Sequence, residues 1–342
     1  MRKFFLPVIL ISVLSLIARA DCNAQLADLK VGQGTLKIGT VLQAGYDYSN
    51  AEDSTAVNGQ FTLNRARFLF WGEMVPGKVK YFVQNEMRNG LGILDYKMIF
   101  TDLIPKTTVS VGRWLPNFTH YMPRHTGKLD MINYPLFLID SRFNYAVWRQ
   151  TGIQTNTVTE NMDITTGIFN GPNNNINDNN DGKDVLLRAG YKPKTDFAKV
   201  KVGAYTWLGN LLFAEESDMA YNRFGFFGLV NAEKFTVNGE LVLGRDEQPG
   251  GADDLKSMGL YGHAEYRVNP HVGILGRVEV MDPNTDTGND RWTWITIGLN
   301  RYIESYHAMV YVNYIHRIEE NDWGTGSTIK NDVLLLQFQV SI

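Results

Sequence analysis

After residue 25 the chain repeats segments of about ten residues in which apolar and polar side chains alternate. In the first segment, one face would carry Leu36, Ile38, Thr40, Leu42, Ala44 and Tyr46, and the other Lys37, Gly39, Gln43, Gly45 and Asp47. A period of two is that of a β-strand with one apolar and one polar face. Clusters of Gly, Asn, Asp and Pro separate the segments and mark turns. The pattern therefore predicts an all-β protein.

Sixteen such segments can be counted, and an even number is typical of bacterial membrane barrels. The predicted strands are 35–48, 61–74, 78–88, 94–102, 107–114, 143–157, 161–170, 184–192, 198–208, 222–233, 235–245, 257–268, 271–281, 291–302, 306–317 and 330–342. Removing residues 1–24 from the 342 leaves 318, which at roughly 20 residues per strand and connection again gives about sixteen strands. The last strand suits a barrel that closes by pairing its last strand with its first.

The first 24 residues have the pattern of a secretory signal peptide. Arg2 and Lys3 precede an apolar run from Phe4 to Ile17, and small residues follow it. Cleavage is expected before Gln25, with a site after Ala20 as the alternative. Asp21 precedes the single cysteine, where a lipid-modified cysteine needs a small residue, so lipidation is disfavoured. No later stretch has about 18 consecutive apolar residues, so the sequence predicts no helical membrane span.

Alternation alone does not say which face is inside, so a soluble sandwich or propeller would show the same pattern. Three features favour a membrane barrel. The apolar faces mix large residues with Gly and Ala, the opposite faces carry charges of both signs, and aromatic residues lie near strand ends, as in an aromatic girdle. The girdle candidates are Tyr46, Tyr48, Trp114, Trp207, Trp292 and Tyr302. The prediction is a transmembrane antiparallel up-and-down β-barrel spanning residues 25–342 in the outer membrane of a Gram-negative bacterium. The alternative is a secreted soluble β-protein that binds polysaccharide.

Charge and motif content narrow the function classes. The chain has 33 Lys and Arg against 36 Asp and Glu, a net charge of −3, which excludes a nucleic-acid binder working through bulk positive charge. One cysteine excludes a disulfide scaffold and a cysteine-rich metal site. The six histidines show no His-Glu-x-x-His spacing, and there is no Gly-x-Ser-x-Gly motif, so we expect neither an enzyme nor a cofactor. A Ser–His site built across strands is left open.

The oxygen-rich segment 177–184 resembles half of a calcium loop, but it lacks the bidentate Glu and is interpreted as a solvated loop.

The segment 115–141 is long for a barrel connection, and connections of that length are usually functional. It combines aromatic residues with charged or titratable ones, the latter being Arg124, His125, Lys128, Asp130 and Asp140. We expect its apolar residues to anchor it to the inner wall and its charges to line a constriction. A surface cap or a contact between subunits is the alternative.

The charged faces of the strands should line the lumen. Arg65 and Arg67 share a predicted face with Leu63, and an arginine at the bilayer midplane costs about 2–4 kcal/mol, so this face should be inside. The wall residues predicted to line the passage are Arg65, Arg67, Arg113, Arg188, Lys201, Arg267 and Arg277. Over all faces placed inward, ten basic residues against five acidic ones indicate a weak preference for anions.

Several segments in order along the chain resemble those of the phosphate-selective porin O and P family. They are Arg65-Ala-Arg67, Gly112-Arg113-Trp-Leu-Pro116, Gly167-Ile-Phe-Asn170-Gly171, Lys183-Asp-Val-Leu-Leu-Arg188, Arg277-Val-Glu-Val-Met-Asp282-Pro-Asn284 and Gly298-Leu-Asn300-Arg-Tyr302. The resemblance implies a sixteen-stranded barrel, a loop folded into the lumen, a homotrimer, and inorganic phosphate among the solutes. Together with the pattern, it predicts a passive diffusion channel for small hydrophilic solutes or ions.

Overall fold

The computed structural model describes residues 28–50, 58–139, 148–171, 178, 180–213, 216–320 and 331–342. Its strands are β1 (Asp28–Val31), β2 (Gly34–Ser49), β3 (Gly59–Val75), β4 (Val79–Glu86), β5 (Gly92–Ile104), β6 (Thr107–Trp114), β7 (Gln150–Val158), β8 (Met162–Phe169), β9 (Asp184–Tyr191), β10 (Lys199–Phe213), β11 (Glu216–Asn231), β12 (Phe235–Asp246), β13 (Leu255–Asn269), β14 (Val272–Asp282), β15 (Trp292–Glu304), β16 (Ala308–Glu319) and β17 (Val333–Ser341). The described helical turns are 3₁₀ helices at Thr126–Lys128 and Pro249–Gly251 and a short α1 at Leu136–Ile139.

Strands β2 to β17 form a closed antiparallel barrel of sixteen strands, as the sequence predicts. Each strand pairs with its neighbours in the chain, and β17 pairs with β2 from Val333↔Ser49 to Ser341↔Val41. Strand β1 forms a tight hairpin with the first residues of β2, from Gly34 to Lys37. It lies beyond the end of β17 on the same side of β2, so it adds no seventeenth position to the ring.

The two rims of the barrel differ in the length of their connections. At one rim the strands are joined by short turns such as 105–106 and 270–271, and at the other by longer segments such as 115–149, 170–183 and 283–291. We call them the turn rim and the loop rim. In bacterial outer-membrane barrels the short turns face the periplasm and the long loops face outward. Within the described part of the chain, no helix has the length and apolar character needed to cross a membrane.

The apolar faces of the strands point outward and the polar faces inward. On β15, Ile297 is 62% exposed on the outer surface, whereas Thr296 and Asn300, on the opposite face of the strand, are buried inside. On β2, Leu42 is exposed while Gln43 is buried. A soluble sandwich would hide its apolar faces in a sealed core. The observed orientation is the opposite, and it is that of a membrane barrel.

Some local predictions need correction. Leu63, predicted to share a face with Arg65, is 44% exposed on the outside, because Asn64 is the extra residue of a β-bulge and Leu63 therefore pairs with Ala44. The strand predicted at 143–157 begins at Gln150, and residues 140–147 lie outside the described residues. The predicted signal peptide, residues 1–24, also lies outside them.

Four of the six aromatic girdle candidates face the interior instead of the membrane interface. They are Trp114, Trp207, Trp292 and Tyr302. The reason is a second apolar layer inside the barrel: Trp207, for example, lies 5.4 Å from Phe118 of the segment between β6 and β7. Tyr46 and Tyr48 remain on the outer surface, where Tyr46 contacts Phe61 at a ring separation of 5.2 Å.

Candidate solute passage

The segment between β6 and β7 folds into the barrel, as predicted, and we call its described part, residues 115–139, the inserted loop. Phe118 is fully buried against the rings of Tyr205 and Trp207, at 4.9 Å and 5.4 Å. Tyr121 and Phe137 both contact the ring of Tyr261, Tyr121 edge-on at 5.7 Å and Phe137 stacked at 6.1 Å. Aromatic contacts at these separations hold the loop against the inner wall.

The wall also satisfies the backbone of the inserted loop. Carboxylates of the wall accept the N–H groups of His120 and Leu136, at 2.7 Å to Glu240 and 2.6 Å to Glu279. Asn313 accepts the N–H of Ile132 at 3.0 Å. Irregular backbone in a barrel needs such partners, because its polar groups would otherwise be buried unpaired.

Other wall side chains donate to carbonyl oxygens of the loop. Asn300 donates to Asp130 at 2.7 Å, Tyr311 to Leu129 at 3.1 Å, and Gln339 to Gly127 at 2.9 Å. Gln43 donates to the carbonyl of Thr126 at 3.1 Å. The anchoring residues come from β2, β12, β14, β15, β16 and β17. These strands form a nearly continuous arc of the wall opposite β6 and β7, so the inserted loop crosses the lumen to reach it.

The most buried charged pair of the loop is Arg124 with Asp130, joined by a hydrogen bond of 2.7 Å. Tyr306, in the turn between β15 and β16, donates to the other oxygen of Asp130 at 2.7 Å. Burial alone would raise the pKa of Asp130, but the charge and hydrogen bond of Arg124 outweigh it and hold that pKa below its usual range. Asp130 is therefore ionised at neutral pH.

Two cavities adjoin this pair: Arg124 lines both, and Asp130 lines one of them. The turn-side cavity, of about 730 Å³, is bounded by residues near the turn rim, including Lys234, Glu265, Arg267 and Tyr306. The β4–β5 cavity, of about 290 Å³, is bounded by side chains of those two strands and of the inserted loop, together with Arg67, Trp114 and Arg149. The two cavities and the Arg124–Asp130 pair between them are the candidate solute passage.

The predicted wall cations Arg188 and Lys201 meet at one carboxylate. Asp163 lies 3.3 Å from Arg188, 2.8 Å from Lys201 and 3.6 Å from Lys192. Arg188 also lies over the ring of Phe227, at 4.6 Å. This cluster carries two more positive than negative charges.

Arg67 and Arg267 line the two cavities, one each. Arg67 forms an ion pair with Glu86 at 2.9 Å and donates to Thr126 of the inserted loop at 3.0 Å. Arg267 pairs with Glu265 and lies 3.5 Å above the ring of Tyr302.

Arg65 and Arg277 point inward but serve as supports. Arg65 donates to Gln43 at 2.5 Å. Arg277 is almost fully buried, lies 3.0 Å from Glu279, and donates to the carbonyl of Asn133 at 3.0 Å, so it holds the inserted loop.

Arg113 does not have the inward placement expected from the sequence. Its neighbour Trp114 faces the interior against Phe169, and adjacent residues of a strand point to opposite faces. Arg113 instead pairs in register with Tyr96 and donates to the carbonyl oxygen of Leu94 at 2.6 Å.

The other predicted loop residues are placed as follows. His125 begins the 3₁₀ helix, where its Nδ1 accepts the N–H of Gly127 at 3.3 Å. Lys128 is exposed, and its carbonyl oxygen accepts a hydrogen bond from Arg124 at 2.9 Å. Asp140 lies outside the described residues.

Two residues of the passage were missed by sequence reasoning. Arg149 forms a two-point ion pair with Asp95, at 2.9 Å and 3.4 Å, and lines the β4–β5 cavity. Tyr306 holds Asp130. Both lie just outside regular strands, so no alternation assigns them a face. For Arg149, the adjoining Trp148, which lies 5.7 Å from Tyr134, was the available signal of packing against the loop.

The described residues give no support for a metal site. They contain no group of three or more His, Cys, Asp or Glu side chains placed to hold a metal ion. In the oxygen-rich segment 177–184, Asp178 pairs with Lys183 at 2.6 Å, and Asp184 accepts from the indole of Trp207 at 2.7 Å. Residues 177 and 179 lie outside the described residues.

A model of one protein family matches residues 142–331, which is more than half of the chain, and that family is described as "Putative beta-barrel porin-2, OmpL-like". It is a porin family other than the phosphate-selective O and P family that the motifs resemble. The comparison with curated proteins gives no match.

Solved structures of outer-membrane channels share the fold at low sequence identity. The channel DcaP of Acinetobacter baumannii is 11% identical with a TM-score of 0.69, covering 93% of this chain and 100% of its own. The anion-selective porin from Comamonas acidovorans is 11% identical with a TM-score of 0.68, covering 90% and 100%. The trimer form of OmpT of Vibrio cholerae is 10% identical with a TM-score of 0.64, covering 90% and 99%.

Proposed function

Since the chain belongs to the OmpL-like beta-barrel porin-2 family, we propose that it forms a water-filled channel through which small hydrophilic solutes diffuse passively. It is a β-barrel protein of the Gram-negative outer membrane. Family and fold point to a channel rather than to an enzyme. The single observation that carries the proposal is the closed barrel with apolar residues outside and ionised residues around two cavities inside.

The channel acts by lowering the cost of desolvation. An ion that enters hydrocarbon loses its hydration, whereas in this lumen water and charged side chains replace that hydration. The inserted loop narrows the passage and sets the size limit. Arg124 lines both cavities, and its partner Asp130 lines the turn-side cavity, so a solute that passes from one cavity to the other meets this ion pair.

The mature protein is proposed to begin at Gln25, after removal of residues 1–24 as a signal peptide. Its turn rim faces the periplasm and its loop rim the exterior, following the general rule for such barrels. Its outer face contacts lipid. A homotrimer is proposed as well, because the fold is shared with a porin solved in a trimer form.

A weak preference for anions is proposed. The β4–β5 cavity is lined by four cations, Arg67, Lys97, Arg124 and Arg149. Three of them pair with carboxylates, Glu86, Asp130 and Asp95, which leaves the charge of Lys97 without an ion pair among the described residues. The cluster at Asp163 adds to the positive side. Inorganic phosphate is one anion to test, on account of the motif resemblance. In the turn-side cavity the opposite charges balance, which limits the preference.

The test is conductance in a planar bilayer with protein refolded from residues 25–342. We expect unit current steps in potassium chloride, and under a salt gradient a reversal potential of the sign that anion preference gives. Boiled protein from the same preparation is the control. Folded protein that produces no steps would refute the channel. Steps with a cation-selective reversal potential would refute the anion preference alone.

A further inference from the structure

The β4–β5 cavity has a wall that offers hydrogen-bond donors and few acceptors. Its cations are Arg67, Lys97, Arg124 and Arg149. Its one carboxylate, Asp95, is already held at two points by Arg149. Lys97, by contrast, forms no ion pair with a described residue, and its ammonium lies 5.7 Å from the ring centre of Trp114.

Two neutral side chains of the same cavity add donors without partners. His125 Nδ1 accepts the N–H of Gly127, so in the neutral imidazole the proton is on Nε2. That Nε2 is buried and has no hydrogen-bond partner among the described residues, and the same holds for the indole Nε1 of Trp114. Buried donors without partners are rare in native proteins and call for an acceptor.

The pKa of His125 reflects the positive charges around this cavity. Its pKa is lowered to about 4, first by burial and then by the charges of Arg67, Lys128, Arg65 and Arg149. A wall of donors with excess positive charge fits an anion. It does not fit a neutral sugar, which presents donors as well as acceptors and needs acceptors in return.

The size and lining of the cavity favour an anion with an apolar body over inorganic phosphate. A water molecule has a share of about 30 Å³ in the liquid, so 290 Å³ has room for about ten groups of that size. Inorganic phosphate would fill a fraction of it. Phe82, Trp114 and Tyr134 line the cavity together with Ile99 and Leu115. These surfaces would bury a flat apolar body beside the charge.

We propose that the β4–β5 cavity is a binding site for small aromatic carboxylates, whose carboxylate is held by Lys97, His125 Nε2 and Trp114 Nε1 and whose ring packs on the aromatic wall. The site rests on the proposed function, since it lies in the passage of the channel. It makes passage of such solutes saturable, because a bound molecule must leave before the next one enters.

The test is calorimetric titration of the folded protein in detergent with benzoate, benzyl alcohol and inorganic phosphate. We expect saturable binding of benzoate, none of benzyl alcohol, and binding of phosphate weaker by about tenfold, because phosphate buries no apolar surface. Absence of benzoate binding would refute the site. Phosphate binding as tight as that of benzoate would refute the aromatic class.

Variants locate the site. Trp114→Phe keeps an aromatic ring, smaller than the indole, and loses the N–H, and should weaken benzoate binding about fivefold. Lys97→Gln should weaken it by about tenfold or more. Lys78→Gln, at an exposed lysine of the turn between β3 and β4, is the matched control and should leave binding unchanged. Equal binding by all three variants, each shown to be folded by its heat-modifiable mobility on gels, would contradict the proposed site.

Because calorimetry needs no ion current, the two proposals fail separately. Benzoate binding without conductance steps would refute the channel and leave the site. Conductance steps without benzoate binding would refute the site and leave the channel. In a conducting protein we further expect benzoate, added to the bath, to interrupt the potassium chloride current in wild type and less so in Lys97→Gln.

Discussion

Most ionised side chains of the interior are held in pairs. Arg124 pairs with Asp130, Arg149 with Asp95, and the separations of 2.7 Å and 2.9 Å are those of charge-assisted hydrogen bonds. Paired charges largely cancel at a distance. The potential met by a passing ion is therefore set by the few charges left over, such as Lys97, rather than by the total count of basic residues.

Asp130→Asn tests this view. The variant removes the negative charge between the two cavities, while Tyr306 can still donate to the amide oxygen. We expect the reversal potential under a salt gradient to shift toward anions, because the charge of Arg124 is then uncompensated. Asp102→Asn, at an exposed ion pair near the turn rim, is the control and should leave it unchanged. A shift toward cations, or an equal shift in both variants, would contradict the role of the pair.

The pKa of His125 predicts a dependence on pH. A histidine free in water titrates near 6.5, and burial together with Arg67, Lys128, Arg65 and Arg149 lowers the pKa in the inserted loop to about 4. His125 therefore binds a proton more tightly when the loop has left the wall and the imidazole is in water than when the loop is inserted. The stability of insertion is complete above about pH 6.5 and falls as the pH falls toward 4.

We therefore expect larger current fluctuations at pH 5 than at pH 7.5. His125→Gln, which still offers an acceptor to Gly127, should reduce the difference. His120, whose pKa burial lowers to about 3, contributes in the same direction, so the double variant should reduce it further. Fluctuations in the double variant that grow on acidification as much as in wild type would disprove the link to these histidines.

Single residues were predictable from sequence where the period of two holds. Arg188 faces inward as predicted because β9 pairs with β8 and β10 without a register shift on either side of it. The facing of Leu63 was not predictable, because it depends on the bulge at Asn64. Whether Arg113 or Trp114 points inward depends on the register of β6 with β5, which the sequence alone does not give. Arg149 and Tyr306 lie where no period applies.

At the scale of elements, each predicted strand corresponds to one barrel strand, since one face meets an apolar surrounding and the other water. The inserted loop was recognised by its length and mixed composition. The hydrogen bonds that fix the loop to the wall were not predicted. The side chains that form them, such as Glu240, Glu279 and Asn300, have the same sequence pattern as other polar residues of the wall.

Replacing residues 118–138 by a short Gly-Ser linker tests the inserted loop as a constriction. We expect the single-channel conductance to rise several-fold, because the loop occupies the lumen. Shortening the exposed turn around Pro249–Gly251, at the same rim, is the control and should leave conductance nearly unchanged. An unchanged conductance in the folded loop variant would show that the constriction lies elsewhere.

Gly112 marks the end of β6 just before the inserted loop. Its φ of +133° is unfavourable for other residues, and an added Cβ would overlap the carbonyl oxygen of Tyr96. We expect Gly112→Ala to lower the free energy of unfolding by about 1–3 kcal/mol, measured by urea titration of the refolded barrel. Gly262→Ala, with no atom near its added Cβ, should have little effect. Equal stability of the two variants would contradict the strain assigned to Gly112.

For the whole molecule, the orientation of the two faces is the central feature. Ile297, in the middle of β15 and 62% exposed, should contact lipid. Ile297→Arg should cost about 2–4 kcal/mol in the membrane and reduce the yield of inserted barrel, as judged by fractionation after a salt wash. Ile297→Leu is the control. In a soluble polysaccharide-binding protein an exposed arginine at this position would cost little. A normal yield of the Ile297→Arg variant would therefore support that alternative.

The seam between β17 and β2 has a consequence for how the molecule is made. Ring closure needs Val333–Ser341 to meet residues 41–49, which are separated by nearly the whole polypeptide. Until synthesis has supplied both, any partly assembled sheet presents two rows of unsatisfied amide groups, which hydrocarbon does not tolerate. During biogenesis the chain must therefore stay out of the lipid until β2 and β17 are both available for pairing, or the unpaired edges of these strands must be covered until then.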